Sequence, residues 1–110
     1  MKPVFVAFAE RKLEREFESL KTGRYPEPLL YEEILKAIVA LKSSPLSGAK
    51  IQKRLWPKGY IREYGITNLW KYDLREGWRL IYTIKEDEIR ILNVILEWFN
   101  HADYERRFKY

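Results

Sequence analysis

Residues 68–82 read NLWKYDLREGWRLIY, and the register of this stretch decides the fold. Apolar and polar residues alternate on both sides of Arg75-Glu76-Gly77. A three-residue connection with its glycine in the left-handed conformation is a common way to join two antiparallel strands. That loop pairs Leu74 with Trp78, Asp73 with Arg79, Tyr72 with Leu80 and Trp70 with Tyr82. One face then carries Trp70, Tyr72, Leu74, Trp78, Leu80, Tyr82 and Ile84. The other carries Lys71, Asp73, Arg79, Ile81 and Thr83. A two-residue loop sets Leu74 opposite Arg79 and mixes the two faces. A half-buried sheet does not tolerate this, because a one-residue slip turns every side chain over.

Downstream, Lys85-Glu86-Asp87-Glu88 reads as a turn. Residues 89–98, IRILNVILEW, are apolar at both parities, which suits a strand buried on two sides. Asn100 is placed to cap a short helix over residues 101–108. Upstream, residues 3–8, PVFVAF, form a β-rich apolar run. Residues 10–21 form an amphipathic helix with Leu13, Phe17 and Leu20 on one side. A second helix starts with Pro28 in its first turn, where the missing N–H costs nothing, and runs to Ser43. Its expected apolar stripe is Tyr31, Ile34, Leu35, Ile38 and Leu41. Residues 46–66 are irregular, with Ile51, Leu55 and Trp56 as anchors.

The order is β-α-α-β-β-β with a short C-terminal helix. This is an α+β domain over residues 1–110, an antiparallel-rich sheet of about four strands with two helices on one face. The first strand is expected to pair with the last. The opposite face, with Lys71, Asp73 and Arg79, is left for solvent or a ligand.

A chain of 110 residues suits one domain, and 46% hydrophobic and 15% aromatic content supplies a core. The absence of cysteine excludes disulfides, thiolate zinc sites and cysteine nucleophiles. A single histidine argues against a histidine-based metal site, so no metal or cofactor is expected. No apolar run approaches the roughly 20 residues that span a bilayer, and the N-terminus lacks the pattern of a signal peptide. A cytoplasmic protein is expected. The formal charge is +5 and unevenly spread. Residues 1–48 hold eight Lys/Arg against seven Asp/Glu, and residues 49–110 thirteen against nine. Lys50, Lys53, Arg54, Lys58 and Arg62 follow one another without an intervening acid. Clustered charge of this kind favours phosphate, although a solvated basic loop has the same composition.

The segment LWKYDLREGWRLIYTI resembles the signature hairpin of the RelE/ParE toxin superfamily, the toxin half of type II toxin–antitoxin systems. The shared core is Gly77-Trp78-Arg79-Leu80-Ile81-Tyr82, a Gly-aromatic-Arg-x-x-Tyr pattern. The strand-helix-helix opening, the final strand and His101-x-x-Tyr104 support it. The resemblance implies a small sheet wrapped on one side by two helices, and a cognate antitoxin as partner. RelE-type members cut mRNA, typically on the ribosome, whereas ParE-type members inhibit DNA gyrase on the same fold. The expectation is therefore a RelE-like endoribonuclease acting through the RNA 2′-OH. The rivals are a non-cleaving member that binds gyrase or only its antitoxin, and a basic RNA-binding module.

Under this resemblance Arg79 holds the scissile phosphate, for which a planar guanidinium is well shaped. Lys71 falls on a cationic strand position of the RNA-cleaving members. Asp73 departs from the pattern, since RelE itself has a second basic residue there. His101 is the one side chain whose ordinary pKa lies near neutrality, and it suits either proton removal or proton delivery. Tyr104, one helical turn on, or Tyr110 takes the place of a family tyrosine that stacks on a base or joins the chemistry. Lys50, Lys53, Arg54, Lys58, Arg62, Arg106, Arg107 and Lys109 are candidate phosphate contacts, with Trp56 a candidate stacking platform. Each has a bland counterpart: a cross-strand ion pair for Arg79, a capped helix start for His101, a core ring for Tyr104, a frayed basic end for the last arginines.

Overall fold

A computed structural model describes residues 2–108. The chain opens with Val4–Phe8 (β1), Arg11–Leu20 (α1) and Glu27–Ser43 (α2). Ala49–Lys50 (β2) and Lys58–Tyr64 (α3) follow. Trp70–Asp73 (β3), Arg79–Glu86 (β4), Ile91–Phe99 (β5) and His101–Phe108 (α4) complete it. The sheet runs β1-β5-β4-β3-β2, with β1 parallel to β5 and the other pairs antiparallel. The architecture is α+β as expected, with a fifth strand, β2, formed by two residues of the segment expected to be irregular.

The hairpin takes the register set by its alternation. Asp73 faces Arg79, Tyr72 faces Leu80 and Trp70 faces Tyr82, and the Leu74 N–H donates to the Trp78 carbonyl at 2.8 Å. Gly77 has φ +77° and Glu76 φ +58°, so two consecutive left-handed residues turn the chain. The expected apolar face packs under α1 and α2. Leu74, Leu80, Tyr82 and Ile95 meet Phe17 and Leu20 of α1 and Leu30, Ile34, Ala37 and Leu41 of α2. Each large apolar side chain so buried contributes roughly 1.5–3 kcal/mol. The buried line on α2 recurs at spacings of four, three and four. Leu35, expected within it, is instead exposed, because the residues of α2 that meet the sheet are Leu30 and Ala37 on the other flank.

The second sheet face is not left open. A second core of Ile51, Tyr60, Ile66, Leu69, Ile81, Leu96, Tyr104 and Phe108 covers most of it, beneath α3 and α4. Leu55 and Trp56 pack against its margin, and the Trp56 indole N–H donates to the Ile51 carbonyl at 2.9 Å. Trp56 is thus partly buried as a clasp on its own segment. The uncovered part of this face is the end that carries Lys71, Asp73 and Arg79.

Two local devices set that end. The register of β4 on β5 shifts between Ile81, opposite Glu97, and Tyr82, opposite Ile95, which leaves Leu96 as a β-bulge. Strict alternation would send Glu97 into the helix-covered core and Trp98 away from it. The extra residue restores Trp98 to the core and keeps the Glu97 carboxylate on the second face. On the other flank the buried Tyr82 hydroxyl donates to the Pro45 carbonyl at 2.9 Å and accepts the Gly48 N–H at 3.2 Å. A Cβ on Gly48 would come within 2.4 Å of the Lys71 carbonyl oxygen and 2.6 Å of the Tyr82 hydroxyl. Glycine there lets β2 close on β3, with Ala49 opposite Lys71.

Candidate functional site

Lys71 on β3, Arg79 on β4, and His101, Tyr104 and Glu105 on α4 line one open cleft of about 360 Å³. All four residues singled out for chemistry therefore meet, although 33 positions separate Lys71 from Tyr104. Two local features bring α4 here. The Asn100 side-chain oxygen accepts the Asp103 N–H at 2.8 Å, satisfying one of the unpaired donors of the helix start. At Gly77 there is no Cβ to hold off His101, whose Cβ would lie 2.9 Å from one.

The cations are held in place. Arg79 donates through Nη1 to the Gly77 carbonyl at 2.7 Å, and its guanidinium carbon stands 5.5 Å from the centre of the Tyr104 ring. Lys71 Nζ stands 5.9 Å from the same centre. Tyr104 is only 3% exposed and packs on Phe108. Its ring serves as the floor beneath two cations, favourable through its π-face, and offers no open face to a nucleobase. Tyr110 and Lys109, the other C-terminal candidates, lie outside the described residues.

Asp73, the departure from the expected pattern, reaches both cations with one oxygen. Its Oδ1 lies 3.2 Å from Lys71 Nζ and 2.9 Å from Arg79 Nε. The first contact is a hydrogen bond. The second is an ion pair by distance, but the N–H is not directed at the oxygen, and Arg79 Nε remains buried without a hydrogen-bond acceptor. Lys71 and Arg79 are 22% and 18% exposed along their side chains, and Asp73 is 62% exposed. An anionic oxygen thus already sits where a phosphate oxygen would bridge the same pair.

His101 Nε2 contacts Glu105 Oε1 one turn along α4, and both side chains are accessible. Glu105 was not foreseen as a site residue. Its signal was present, since the predicted helix over residues 101–108 sets positions 101 and 105 on one face.

The basic segment does not join the cleft. Lys50, Lys53, Arg54, Lys58 and Arg62 are all exposed, none lines the cleft, and none is in an ion pair among the described residues. Lys50 is opposite Trp70 and so leaves the sheet on the helix-covered side. Arg106 pairs with Asp103. Arg107 pairs with Glu97 at 3.3 Å and stands over the Tyr60 ring. Arg107 is engaged across the fold, whereas Arg106, paired along its own helix, stays largely exposed. Glu97 also accepts the Tyr60 hydroxyl at 2.5 Å, and burial followed by that carboxylate pushes the Tyr60 phenol well above its ordinary range.

A scan against protein-family models found no match, and searches of curated proteins and of solved structures found none either. Among the described residues no helix is long and apolar enough to cross a membrane.

Proposed function

We propose that this protein is a RelE-like toxin of a type II toxin–antitoxin system, an endoribonuclease that cuts mRNA on the ribosome and is neutralised by a cognate antitoxin. The observation that carries the reading is the convergence of Lys71, Arg79, His101 and Tyr104 on one cleft. The 2′-OH distinguishes RNA and supplies an internal nucleophile. Its oxygen attacks phosphorus, the bond from phosphorus to the 5′ oxygen breaks, and a 2′,3′-cyclic phosphate and a 5′-hydroxyl end result. One proton leaves the 2′-OH and one arrives on the 5′ oxygen. His101 and Glu105 are the cleft groups whose side chains can take up and give up a proton. Arg79 and Lys71 stabilise the charge gathering on the phosphorane oxygens. Tyr104 keeps both cations in position, and the exposed basic segment draws the polyanion toward the protein.

A second reading is a superfamily member that does not cleave, acting on gyrase or binding only an antitoxin. The contact of Asp73 with both cations favours it, because those cations are then partly neutralised. Inducible expression in a host cell, wild type beside Arg79→Ala, with mRNA ends mapped after induction, separates the two. New cuts in translated mRNA that vanish in the variant support cleavage. Growth arrest without cuts supports the gyrase-type target, and no arrest supports a purely binding protein.

A further inference from the structure

The charge around the cleft is closely balanced. Lys71 and Arg79 contribute two positive charges, and Asp73 and Glu105 two negative ones, so 2 − 2 leaves zero before any proton on His101. A site built only to gather phosphate gains nothing from Asp73, whose single oxygen lies between the two cations at 3.2 and 2.9 Å. The three side chains differ in accessibility. The cations are mostly covered and the carboxylate mostly exposed, so of the three it is Asp73 that has room to turn toward water when an anion enters. The displaced carboxylate stays tethered nearby, and its repulsion grows with the charge of whatever replaced it.

Resting on the cleavage reading above, we infer that Asp73 shifts the preference of the cleft away from a doubly charged phosphate monoester and toward a singly charged phosphodiester. An internal RNA linkage and a 2′,3′-cyclic end each carry one negative charge. A terminal phosphate carries nearly two at neutral pH, since its second pKa is about 6. Asp73 then penalises a hydrolysed 3′-phosphate end more than an internal linkage of the strand, which favours release of that end. Repulsion from a fixed charge scales with ligand charge, so the logarithm of its effect on binding is twice as large for the dianion.

The test uses the full chain, wild type and Asp73→Asn, with uridine 2′,3′-cyclic phosphate and uridine 3′-monophosphate as probes. Binding is followed at pH 7.5 and low salt by amide chemical shifts, which also report that the variant is folded. The expected result is a gain of about tenfold for the monoester and about threefold for the cyclic diester in Asp73→Asn, the square-root relation that charge scaling requires. Arg79→Ala should weaken both probes. Equal gains for both probes, no gain for either, or binding indifferent to Arg79→Ala would overturn the inference. The mapped mRNA ends keep the two failures apart. Cuts in cells together with unselective nucleotide binding leave the cleavage reading standing and remove only the role of Asp73. Absence of both cuts and nucleotide binding removes the two together.

Discussion

The Cα of Gly77 faces the Cβ of His101 so closely that a methyl group on Gly77 would lie 2.9 Å from it. The hairpin turn and the last helix are thereby locked together, and the position of the one histidine depends on the lack of a side chain 24 residues earlier. Gly77 also has φ +77°, a conformation that L-residues with a Cβ rarely adopt. Gly77→Ala combines backbone strain with displacement of His101. The expected loss of stability is about 1–3 kcal/mol, read from thermal or urea unfolding. Under the cleavage reading, RNA cleavage by the folded variant should fall further than stability alone explains, and wild-type activity in a folded Gly77→Ala protein would contradict this coupling.

Tyr82 gives the fold an alkaline limit. Its hydroxyl is buried between Pro45 and Gly48, and burial pushes its pKa up to about 12 from an ordinary 10.0. The unfolded chain releases this proton first. Its contribution to stability is therefore full below about pH 10 and lost as the pH rises through about 12. Urea midpoints measured from pH 9 to 12 should decline. In Tyr82→Phe the decline should be shallower, from a starting stability lower by about 1–2 kcal/mol because the Pro45 and Gly48 groups lose their partner.

Glu97 is predicted to matter for stability and not for the cleft. It accepts the hydroxyl of Tyr60, which is 2% exposed, and pairs with Arg107. Glu97→Ala leaves the Tyr60 hydroxyl buried without its acceptor, at a cost of about 1–3 kcal/mol. Tyr60→Phe in the same chain should recover part of that loss, which a double-mutant cycle on unfolding free energies would measure. Under the cleavage reading, cleavage by folded Glu97→Ala should match the wild type.

Under the cleavage reading, the cleft residues divide by kinetic parameter. His101→Ala removes a proton carrier and should lower kcat by roughly 10²–10⁴-fold while leaving RNA affinity near wild type. Glu105→Gln keeps the shape of the pair and should lower kcat by less. Arg79→Ala should lower kcat/KM through both terms, since Arg79 holds the phosphate in the ground state as well. Steady-state cleavage of a short RNA separates these effects, and an unchanged kcat in His101→Ala would exclude it as a proton carrier.

Much of the molecule was legible in the order of residues because the governing physics is local. Alternation with period two, a turn glycine and the need for one apolar face fixed the pairing from Trp70 to Tyr82 without any distant contact. The Asn100 cap and the first-turn Pro28 are likewise signals within a few residues of their effect. The convergence of Lys71, Arg79, His101 and Tyr104 was suggested by a resembling motif, and nothing in their spacing required it. The extent of the second core was not legible, since α3 and α4 cover the sheet through Tyr60 and Phe108, which lie far apart in the chain. The bulge at Leu96 was hidden too, because a strand apolar at both parities carries no record of which residue is surplus.

The sequence by itself determined the α+β class, the hairpin register, the strand-helix-helix opening and the exclusion of cysteine chemistry. Only the tertiary structure decided that the His101–Glu105 pair faces the cleft, that Arg107 pairs with Glu97, and that one oxygen of Asp73 is shared by both cations. The division has a physical reason. Periodicity and turn chemistry act over a few bonds, whereas the charge of a site is the sum over whichever groups packing happens to bring within a few ångströms.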